Sequence, residues 1–153
     1  MSIIFITGLS GVGKSSVLKR LERDGYAVVD TDYGYTTIET DGSAERVLDE
    51  EKINELLERH QGTDLFLSGC YSNQGKFYKH FDHVVLLKAE LNIMMDRLDR
   101  RTSNHYGKSA DERNEVIHSY ENVLPLLVKG SDVVLDTSHI GIERITEKLK
   151  GLL

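Results

Sequence analysis

Cysteine, proline and tryptophan are nearly missing from this sequence. Its 153 residues include one cysteine, Cys70, one proline, Pro125, and no tryptophan. A lone cysteine excludes an internal disulfide and a zinc site built on paired cysteines, and it suits a reducing compartment. No apolar run approaches the ~20 residues that a membrane-spanning helix needs. The first residues, MSIIFITG, lack the basic leader of a signal peptide. We therefore expect a cytoplasmic protein with no membrane partner.

Positive charge is also scarce. Lysine and arginine together number 19 against 25 aspartates and glutamates, which gives a formal net charge of −6. Proteins that bind DNA or RNA draw most of their affinity from phosphates neutralised by a basic surface. The composition therefore argues against a nucleic-acid partner, whereas a single nucleotide needs only a local positive pocket. A chain of this length fits one compact domain, so we expect residues 1–153 to form a single unit, as a monomer or a homodimer.

Five short apolar runs recur along the chain and predict five strands. Each run is apolar nearly throughout rather than alternating, which is typical of strands buried on both faces of a sheet. Helical patterns separate the runs; Leu91, Met94, Met95 and Leu98, for example, follow the i, i+3, i+4, i+7 spacing. Strands that alternate with helices indicate an α/β protein, with a parallel sheet between two helical layers. The predicted strands are Ser2–Thr7, Ala27–Asp30, Leu65–Ser68, Val84–Leu87 and Val133–Leu135.

Two polar stretches interrupt this alternation. The first, residues 33–43, is rich in glycine and threonine and leads into a predicted helix. The second, residues 102–108, reads TSNHYGK. It precedes a capping box, Ser109 with Glu112, which predicts the start of a helix that ends or kinks near Pro125. Loops of this kind on an α/β sheet often carry function.

Residues 8–15 read GLSGVGKS and complete the motif G-x-x-x-x-G-K-[ST] of phosphate-binding loops. An apolar run precedes the motif and a helical pattern follows it, as such a loop requires. Its amide groups and the helix N-terminus bind phosphate, its lysine reaches the β- and γ-phosphates of ATP, and its serine hydroxyl completes a Mg²⁺ shell. The dinucleotide motif G-x-G-x-x-G does not fit, because its third glycine would fall at Ser16. The predicted nucleotide-binding residues of the loop are Gly8, Ser10, Gly11, Val12, Gly13, Lys14, Ser15 and Ser16.

Two aspartates close the second predicted strand, in the segment VVDTD at residues 28–32. Asp30 and Asp32 are two residues apart, so on an extended chain both side chains point the same way. The carboxyl end of this strand should lie at the edge where ligands bind in such sheets. One carboxylate can hold Mg²⁺ through water while the other orients or deprotonates an acceptor hydroxyl. The alternative is that both cap the turn that follows.

Arginines gather beside the second polar stretch. Arg97 and Arg101 are four residues apart and share a helix face, so in closing over ATP they can neutralise charge on the γ-phosphate. The alternative is a solvated helix end whose positive charge suits the helix dipole. Arg101 adjoins the polar stretch and is the preferred candidate, ahead of Lys108. Arg46 can meet an anionic substrate or lie on a helix surface.

These features resemble the nucleoside-monophosphate and shikimate-kinase-like branch of the phosphate-loop kinases, together with small ATP-binding proteins of the AAA-domain type. The likeness is carried by residues 8–15, by VVDTD at 28–32, by the arginines within 97–101 and by DTS at 136–138. It implies a three-layer α/β/α fold whose five parallel strands are ordered 2-3-1-4-5. It also implies an acceptor-binding region at about residues 33–62 and a lid at about residues 100–115.

The resemblance implies roles for single residues as well. Asp30 would be the metal-side carboxylate, Asp32 the substrate-side carboxylate, and Gly69 would present its backbone to the acceptor. An acidic residue that is common at the end of the family's third strand is missing from Leu65–Ser68, which leaves Ser15 and Asp30 to hold the metal. The implied catalytic residues are Lys14, Asp32 and Arg101, the implied nucleotide-binding arginines are Arg97 and Arg101, and the implied substrate-binding residues are Asp32, Arg46 and Gly69.

The function predicted on this basis is transfer of the ATP γ-phosphate, with Mg²⁺, to a hydroxyl or phosphate group of a small-molecule acceptor. A nucleotide-binding regulator or slow NTPase without such an acceptor is one alternative. A polynucleotide 5′-hydroxyl kinase is another, although it needs a basic channel that the acidic composition argues against. The guanine-reading motif Asn-Lys-x-Asp of GTPases does not occur in the sequence.

Overall fold

The computed structural model describes residues 1–102 and 104–153. Its strands are β1 (Ile3–Thr7), β2 (Ala27–Asp30), β3 (Thr36–Ile38), β4 (Arg46–Leu48), β5 (Leu65–Ser68), β6 (His83–Lys88) and β7 (Val133–Asp136). Five of them form one parallel sheet in the order β2-β5-β1-β6-β7. Numbered along the chain, these five strands are arranged 2-3-1-4-5, so the predicted order is confirmed. The five apolar runs all lie in this sheet, within one or two residues of the predicted bounds.

Helices connect the strands. They are α1 (Lys14–Arg23), α2 (Glu50–Arg59), α3 (Leu91–Arg100), α4 (Ala110–Asn122), α5 (Leu124–Gly130) and α6 (Ile142–Lys150), with a 3₁₀ helix at Gln74–His80. The predicted capping box is confirmed, because the Ser109 hydroxyl accepts from the Glu112 amide at 3.2 Å and contacts its carboxylate at 3.1 Å. Pro125 lies in the first turn of α5, where its missing N–H costs nothing, so the helix is interrupted there as predicted. None of the helices within the described ranges is long and apolar enough to cross a membrane.

Both faces of the sheet are buried. Because side chains alternate along a strand, Phe5 and Leu67 pack on one face with Leu56 of α2. Ile6 points the other way and packs in a second cluster with Leu21 of α1. These five side chains are at most 1% exposed, and burying each stabilises the fold by roughly 1.5–3 kcal/mol. The three-layer α/β/α class is therefore confirmed, and the strand ends that carry the polar residues meet at one edge.

The first polar stretch folds as more than a loop. β3 and β4 form a separate antiparallel hairpin, whereas the sequence predicted a polar connection with Arg46 on a helix surface. The Asp41 carboxylate accepts from the Ser43 amide at 2.9 Å and closes the turn between the strands. The strands are three residues each and half of their residues are polar, so they lack the apolar run by which the five sheet strands were recognised. Arg46 accordingly lies in β4, on an exposed position.

Candidate active site

The loop between β1 and α1 has the backbone that its glycines predicted. Gly11 and Gly13 have φ angles of +88° and +105°, in the left-handed region that favours glycine. A Cβ atom added to Gly8 would lie 2.4 Å from the carbonyl oxygen of Leu87, and one added to Gly11 would lie 2.9 Å from that of Met94. The loop therefore passes too close to β6 and α3 for any side chain at these two positions.

The N-terminus of α1 opens at the end of this loop. Gly13 occupies the cap position, and no side chain of the described residues hydrogen-bonds to the free amides of the first turn. The first turn also carries no acidic residue, while Ser15 and Ser16 are exposed. Unpaired amides together with the positive end of the helix dipole form a binding site for an anion such as phosphate.

Lys14 folds back over the loop. Its ammonium group donates hydrogen bonds to the carbonyl oxygen of Gly8 and, at 2.9 Å, to that of Leu9. Burial lowers the pKa of Lys14, and the nearby Cys70 and Asp32 oppose that effect. A partly buried ammonium whose hydrogen bonds go to neutral carbonyls gains much from a nearby anion, so the geometry favours a phosphate group on the loop.

Arg97 fastens the loop to the last strand of the sheet. Its guanidinium donates to the carbonyl oxygen of Gly11 at 3.3 Å and to the hydroxyl of Thr137 at 3.0 Å. That hydroxyl in turn donates to the carbonyl oxygen of Val12 at 2.7 Å. Arg97 was predicted as a nucleotide-binding residue only; the structure adds a role in holding the loop.

Asp30 and Asp32 face the loop from the end of β2. The Asp32 amide donates to the Asp30 carboxylate at 3.0 Å, so Asp30 also caps the turn, as the alternative reading expected. The Tyr71 hydroxyl donates to the Asp32 carboxylate, bringing together residues that follow β2 and β5 and are far apart in the sequence. Burial raises the pKa of Asp30, as does the adjacent charge of Asp32, while Lys14 opposes the shift. Burial and the hydrogen bond to Asp32 raise the pKa of Tyr71.

Two adjoining pockets meet at the loop. The smaller, of about 270 Å³, lies between the loop and the ends of β2 and β5; the larger, of about 840 Å³, runs along α1 toward the end of α3. Both are lined by Leu9, Ser10, Lys14, Ser15, Asp30, Asp32 and Tyr106. The smaller pocket adds Gly8, Ser68, Gly69, Cys70, Tyr71, Val116 and Ser119. Among the residues that the larger pocket adds are Gly11, Gly13, Ser16, Arg97 and Arg101.

The predicted lid begins where α3 ends. Arg101 donates to the carbonyl oxygens of Asn104 at 3.1 Å and of Tyr106 at 2.9 Å, and its side chain lines the larger pocket. Burial lowers the pKa of Arg101 and raises the pKa of Tyr106 to about 12, so both groups are partly desolvated at this rim. Ser103, within the predicted lid, lies outside the described residues.

Most of the predicted residues line the pockets; Val12, Arg46 and the weaker candidate Lys108, which is exposed, do not. The Val12 side chain is 1% exposed and packs behind the loop, so only its backbone can serve the site. Arg46 is exposed in β4, where it donates to the Thr36 hydroxyl at 2.8 Å. The sequence reading gave no role to Tyr71 and only a weak one to Thr137. Their positions just after β5 and β7 were the available signal, because ligands bind at the carboxyl ends of parallel strands.

Mg²⁺ is implied by this type of loop, and the donors present fit it. Within the described part of the chain, no group of three or more histidine, cysteine, aspartate or glutamate side chains could hold a metal by itself. Mg²⁺ is usually bound by one or two protein oxygens together with substrate phosphates and water. The Ser15 hydroxyl and the Asp30 carboxylate line the same pocket and supply such oxygens.

We expect the Asp30→Asn substitution to stabilise the protein without ligand. The pKa of Asp30 is raised in the folded state, so its stabilising contribution is complete at acid pH and is lost as pH rises through the folded pKa. At pH 7 the neutral amide should therefore raise the melting temperature by roughly 1–3 °C, a small effect because the group is partly solvated. The amide oxygen still accepts from the Asp32 amide.

Melting curves of both proteins between pH 3.5 and 8 measure this difference. The two curves should converge at the acid end, where the natural carboxyl is also neutral. A variant that melts below the natural protein at pH 7 would show that the carboxylate is a net stabilising group.

A family model described as an AAA domain matches residues 4–118, more than half of the chain. A relative from Thermosipho africanus called "Nucleotide-binding protein" is 28% identical, with 99% of this chain and 54% of the relative covered. A protein of the same description from Salinispora arenicola is 23% identical, covering 99% of this chain and 52% of that protein. The chain thus spans about half the length of these curated relatives.

Solved structures share the fold across the whole chain. A shikimate kinase from Acinetobacter baumannii in complex with shikimate superposes with a TM-score of 0.70 at 18% identity, covering 99% of this chain and 92% of that one. A shikimate kinase from Bacteroides thetaiotaomicron gives 0.65 at 18% identity, with 99% and 97% covered. At such identities the likeness concerns the fold alone. Taken with the match to the family model and with the geometry of the phosphate loop, it shows that this chain belongs to the AAA-domain family and has the nucleotide-binding fold of phosphate-loop kinases.

Proposed function

We propose that this protein is an ATP-dependent phosphotransferase that moves the γ-phosphate of Mg·ATP to a small acceptor. One observation carries the proposal: Lys14, Asp30 and Asp32 line a single pocket of about 270 Å³ beside the phosphate loop. A loop that only stores or hydrolyses nucleotide has no need of a second pocket with carboxylates on its wall. The fold shared with shikimate kinases supports the same reading.

The nucleotide fits the larger pocket. Its phosphates would lie on the free amides of the first turn of α1, with Lys14 moving from the loop carbonyls to the β- and γ-phosphates. Ser15 and Asp30 would hold Mg²⁺, which when bound neutralises charge on the transferring phosphoryl group. Arg101, at the rim of this pocket, would add positive charge on the lid side.

The acceptor fits the smaller pocket. Asp32 would orient an acceptor hydroxyl and take its proton as the new P–O bond forms, while ADP leaves with the electrons of the broken bond. The Tyr71 hydroxyl donates to Asp32 and so fixes the carboxylate's direction. Gly69 brings backbone to the wall: an added Cβ would lie 2.5 Å from the Thr31 hydroxyl, so this position has no room for a side chain.

One observation supports a second candidate function. The curated relatives are named only as nucleotide-binding proteins, and this chain spans about half their length. A nucleotide-binding regulator or slow NTPase without a small-molecule acceptor would use the same loop. It predicts tight binding of ATP, with phosphate released to water only and with no acceptor that becomes labelled.

The deciding experiment incubates the protein with Mg²⁺, γ-labelled ATP and a panel of small acceptors. We expect Asp32→Asn to reduce transfer to the best acceptor by about 100-fold, the lower end of what a general base contributes, while the affinity for Mg·ATP is kept. Asp96→Asn, which removes the same charge from the exposed surface of α3, is the matched control and should behave as the natural protein. Unchanged transfer in Asp32→Asn would remove Asp32 from the mechanism.

Domain organisation and surroundings remain predictions. We propose that residues 1–153 act as one kinase-like unit, with an acceptor region at about residues 33–62 and a lid at about 100–115. The hairpin β3–β4 lies within the first of these ranges. The cytoplasmic location and the monomeric or dimeric state expected from the sequence also stay predictions.

A further inference from the structure

The charges around the smaller pocket are unevenly distributed. Among the described residues that line it, the charged side chains are Lys14, Asp30 and Asp32. The ammonium of Lys14 bonds to carbonyl oxygens of the loop, on the side where the phosphates of ATP bind. Lys14 is thus assigned to the nucleotide and Asp30 to its Mg²⁺, which leaves the negative charge of Asp32 on the side of the acceptor.

Arginines near the site are committed elsewhere. Arg97 donates to the loop and to Thr137, and Arg101 donates to the carbonyl oxygens of Asn104 and Tyr106. Both line the larger pocket rather than the smaller one. Arg46 is exposed in β4 and does not line the smaller pocket, although its positive charge acts to lower the pKa of Tyr71 in the pocket wall. In the part of the chain that the structure describes, no arginine lines the smaller pocket.

The remaining wall of the smaller pocket is neutral. Ser68, Tyr71 and Ser119 supply hydroxyl groups that can donate to or accept from a hydroxyl compound. Val116 and Tyr106 add apolar surface against which a short carbon skeleton can pack. A volume of about 270 Å³ limits the acceptor to a small molecule.

We propose that the acceptor is a small hydroxyl compound without negative charge, a neutral polyol or an amino alcohol; this inference rests on the proposed kinase function. A carboxylate or phosphate group on the acceptor would be desolvated beside Asp32, with no arginine in the pocket lining to pair with it. A neutral hydroxyl group instead finds Asp32 as its hydrogen-bond acceptor. An ammonium group finds the Asp32 carboxylate as its ion-pair partner. The acceptor would thus differ from shikimate, which carries a carboxylate.

Matched acceptors test the inference with the chain as it exists. One pair is shikimate and its methyl ester; one set is glycerate, glycerol and 3-amino-1,2-propanediol. Each is assayed with Mg²⁺ and γ-labelled ATP, and kcat/KM is compared within the set. We expect the neutral or cationic member to be phosphorylated at least about tenfold more efficiently than the anionic member. Within the second set, the faster of the polyol and the amine tells which of the two is preferred.

Ser119 offers a way to reverse this preference. It lines the smaller pocket from α4 and takes no part in the proposed transfer of the proton or the phosphoryl group. Ser119→Lys should raise the relative kcat/KM of the anionic members at least severalfold, whereas Ser119→Gln, similar in length and uncharged, should not. Melting temperatures of both variants establish that they are folded.

The outcomes separate this inference from the function beneath it. If the anionic members are preferred, the kinase function stands and the inference on charge is overturned. If ATP binds and no member of any charge becomes labelled, the kinase function fails and the inference falls with it. Preference for the neutral or cationic members, moved toward the anions by Ser119→Lys, supports both.

Discussion

Lys14→Ala should lower kcat/KM for Mg·ATP by about 10³-fold or more. One preorganised charge aimed at a transferring group is worth roughly 10²–10³ in kcat, and the same ammonium also contributes to binding of the ground state. Lys14 lies between the phosphate loop and the two aspartates. Among the described side chains of the loop, Lys14 alone carries a positive charge. Without Lys14, the triphosphate would lie beside the carboxylates of Asp30 and Asp32 and would lack the ammonium group that pairs with it.

Calorimetry with Mg·ATP measures the binding part of this loss, and single-turnover transfer measures the chemical part. Lys52→Ala, an exposed change on α2, is the matched control and should leave both unchanged. Burial lowers the pKa of Lys14, so removing the buried ammonium should cost the ligand-free fold little. Undiminished binding heat in Lys14→Ala would contradict nucleotide binding at this loop and with it every proposal made above.

Gly8→Ala should damage the fold itself. The new Cβ would lie 2.4 Å from the Leu87 carbonyl oxygen and 2.9 Å from a methyl group of Val12, so backbone of the central sheet has to move. Strain of this kind, added to an unfavourable φ of +153°, should cost about 3 kcal/mol or more. For a domain of this size that lowers the melting temperature by roughly 6–12 °C.

Gly25→Ala separates the clash from the backbone angle. Gly25 also has a positive φ, of +96°, but nothing lies within 4 Å of the position of an added Cβ. Gly25→Ala should therefore lower the free energy of unfolding only by the cost of the backbone angle, about 1 kcal/mol. Thermal and urea unfolding of both variants give the comparison. Equal destabilisation of the two would mean that the close approach of Gly8 to β6 contributes nothing.

The parts of the fold that were predictable share a physical cause. A strand buried on both faces must be apolar at successive positions, so Leu65–Ser68 and His83–Lys88 stand out from the polar segments around them. The phosphate loop is equally local, because its glycines and lysine must be neighbours to surround one phosphate. The strand order needed the family resemblance, since the apolar runs say nothing of which strand pairs with which.

The parts that were missed depend on contacts between distant residues. Tyr71 meets Asp32 only because β2 and β5 are adjacent, and nothing near Tyr71 in the sequence indicates that partner. The spacing of Arg97 from Arg101 predicted a residue that closes over ATP. In the structure Arg97 bonds to the phosphate loop and to Thr137, both remote in the chain. The hairpin β3–β4 was missed because strands of three residues, half of them polar, are too short to show a periodicity.

The hydrogen bonds of Arg97 and Thr137 have a consequence for the local stability of the edge of the sheet. They join the stretch that meets the phosphates to the outermost strand, β7, and so to the last third of the chain. A ligand that restrains the backbone at Gly11 and Val12 also restrains β7 at the edge of the sheet, because the hydrogen bonds of Arg97 and Thr137 join the two. Ligand binding at the phosphate loop therefore raises the local stability of the carboxyl-terminal strand and helix. By linkage, a more stable strand and helix also strengthen ligand binding.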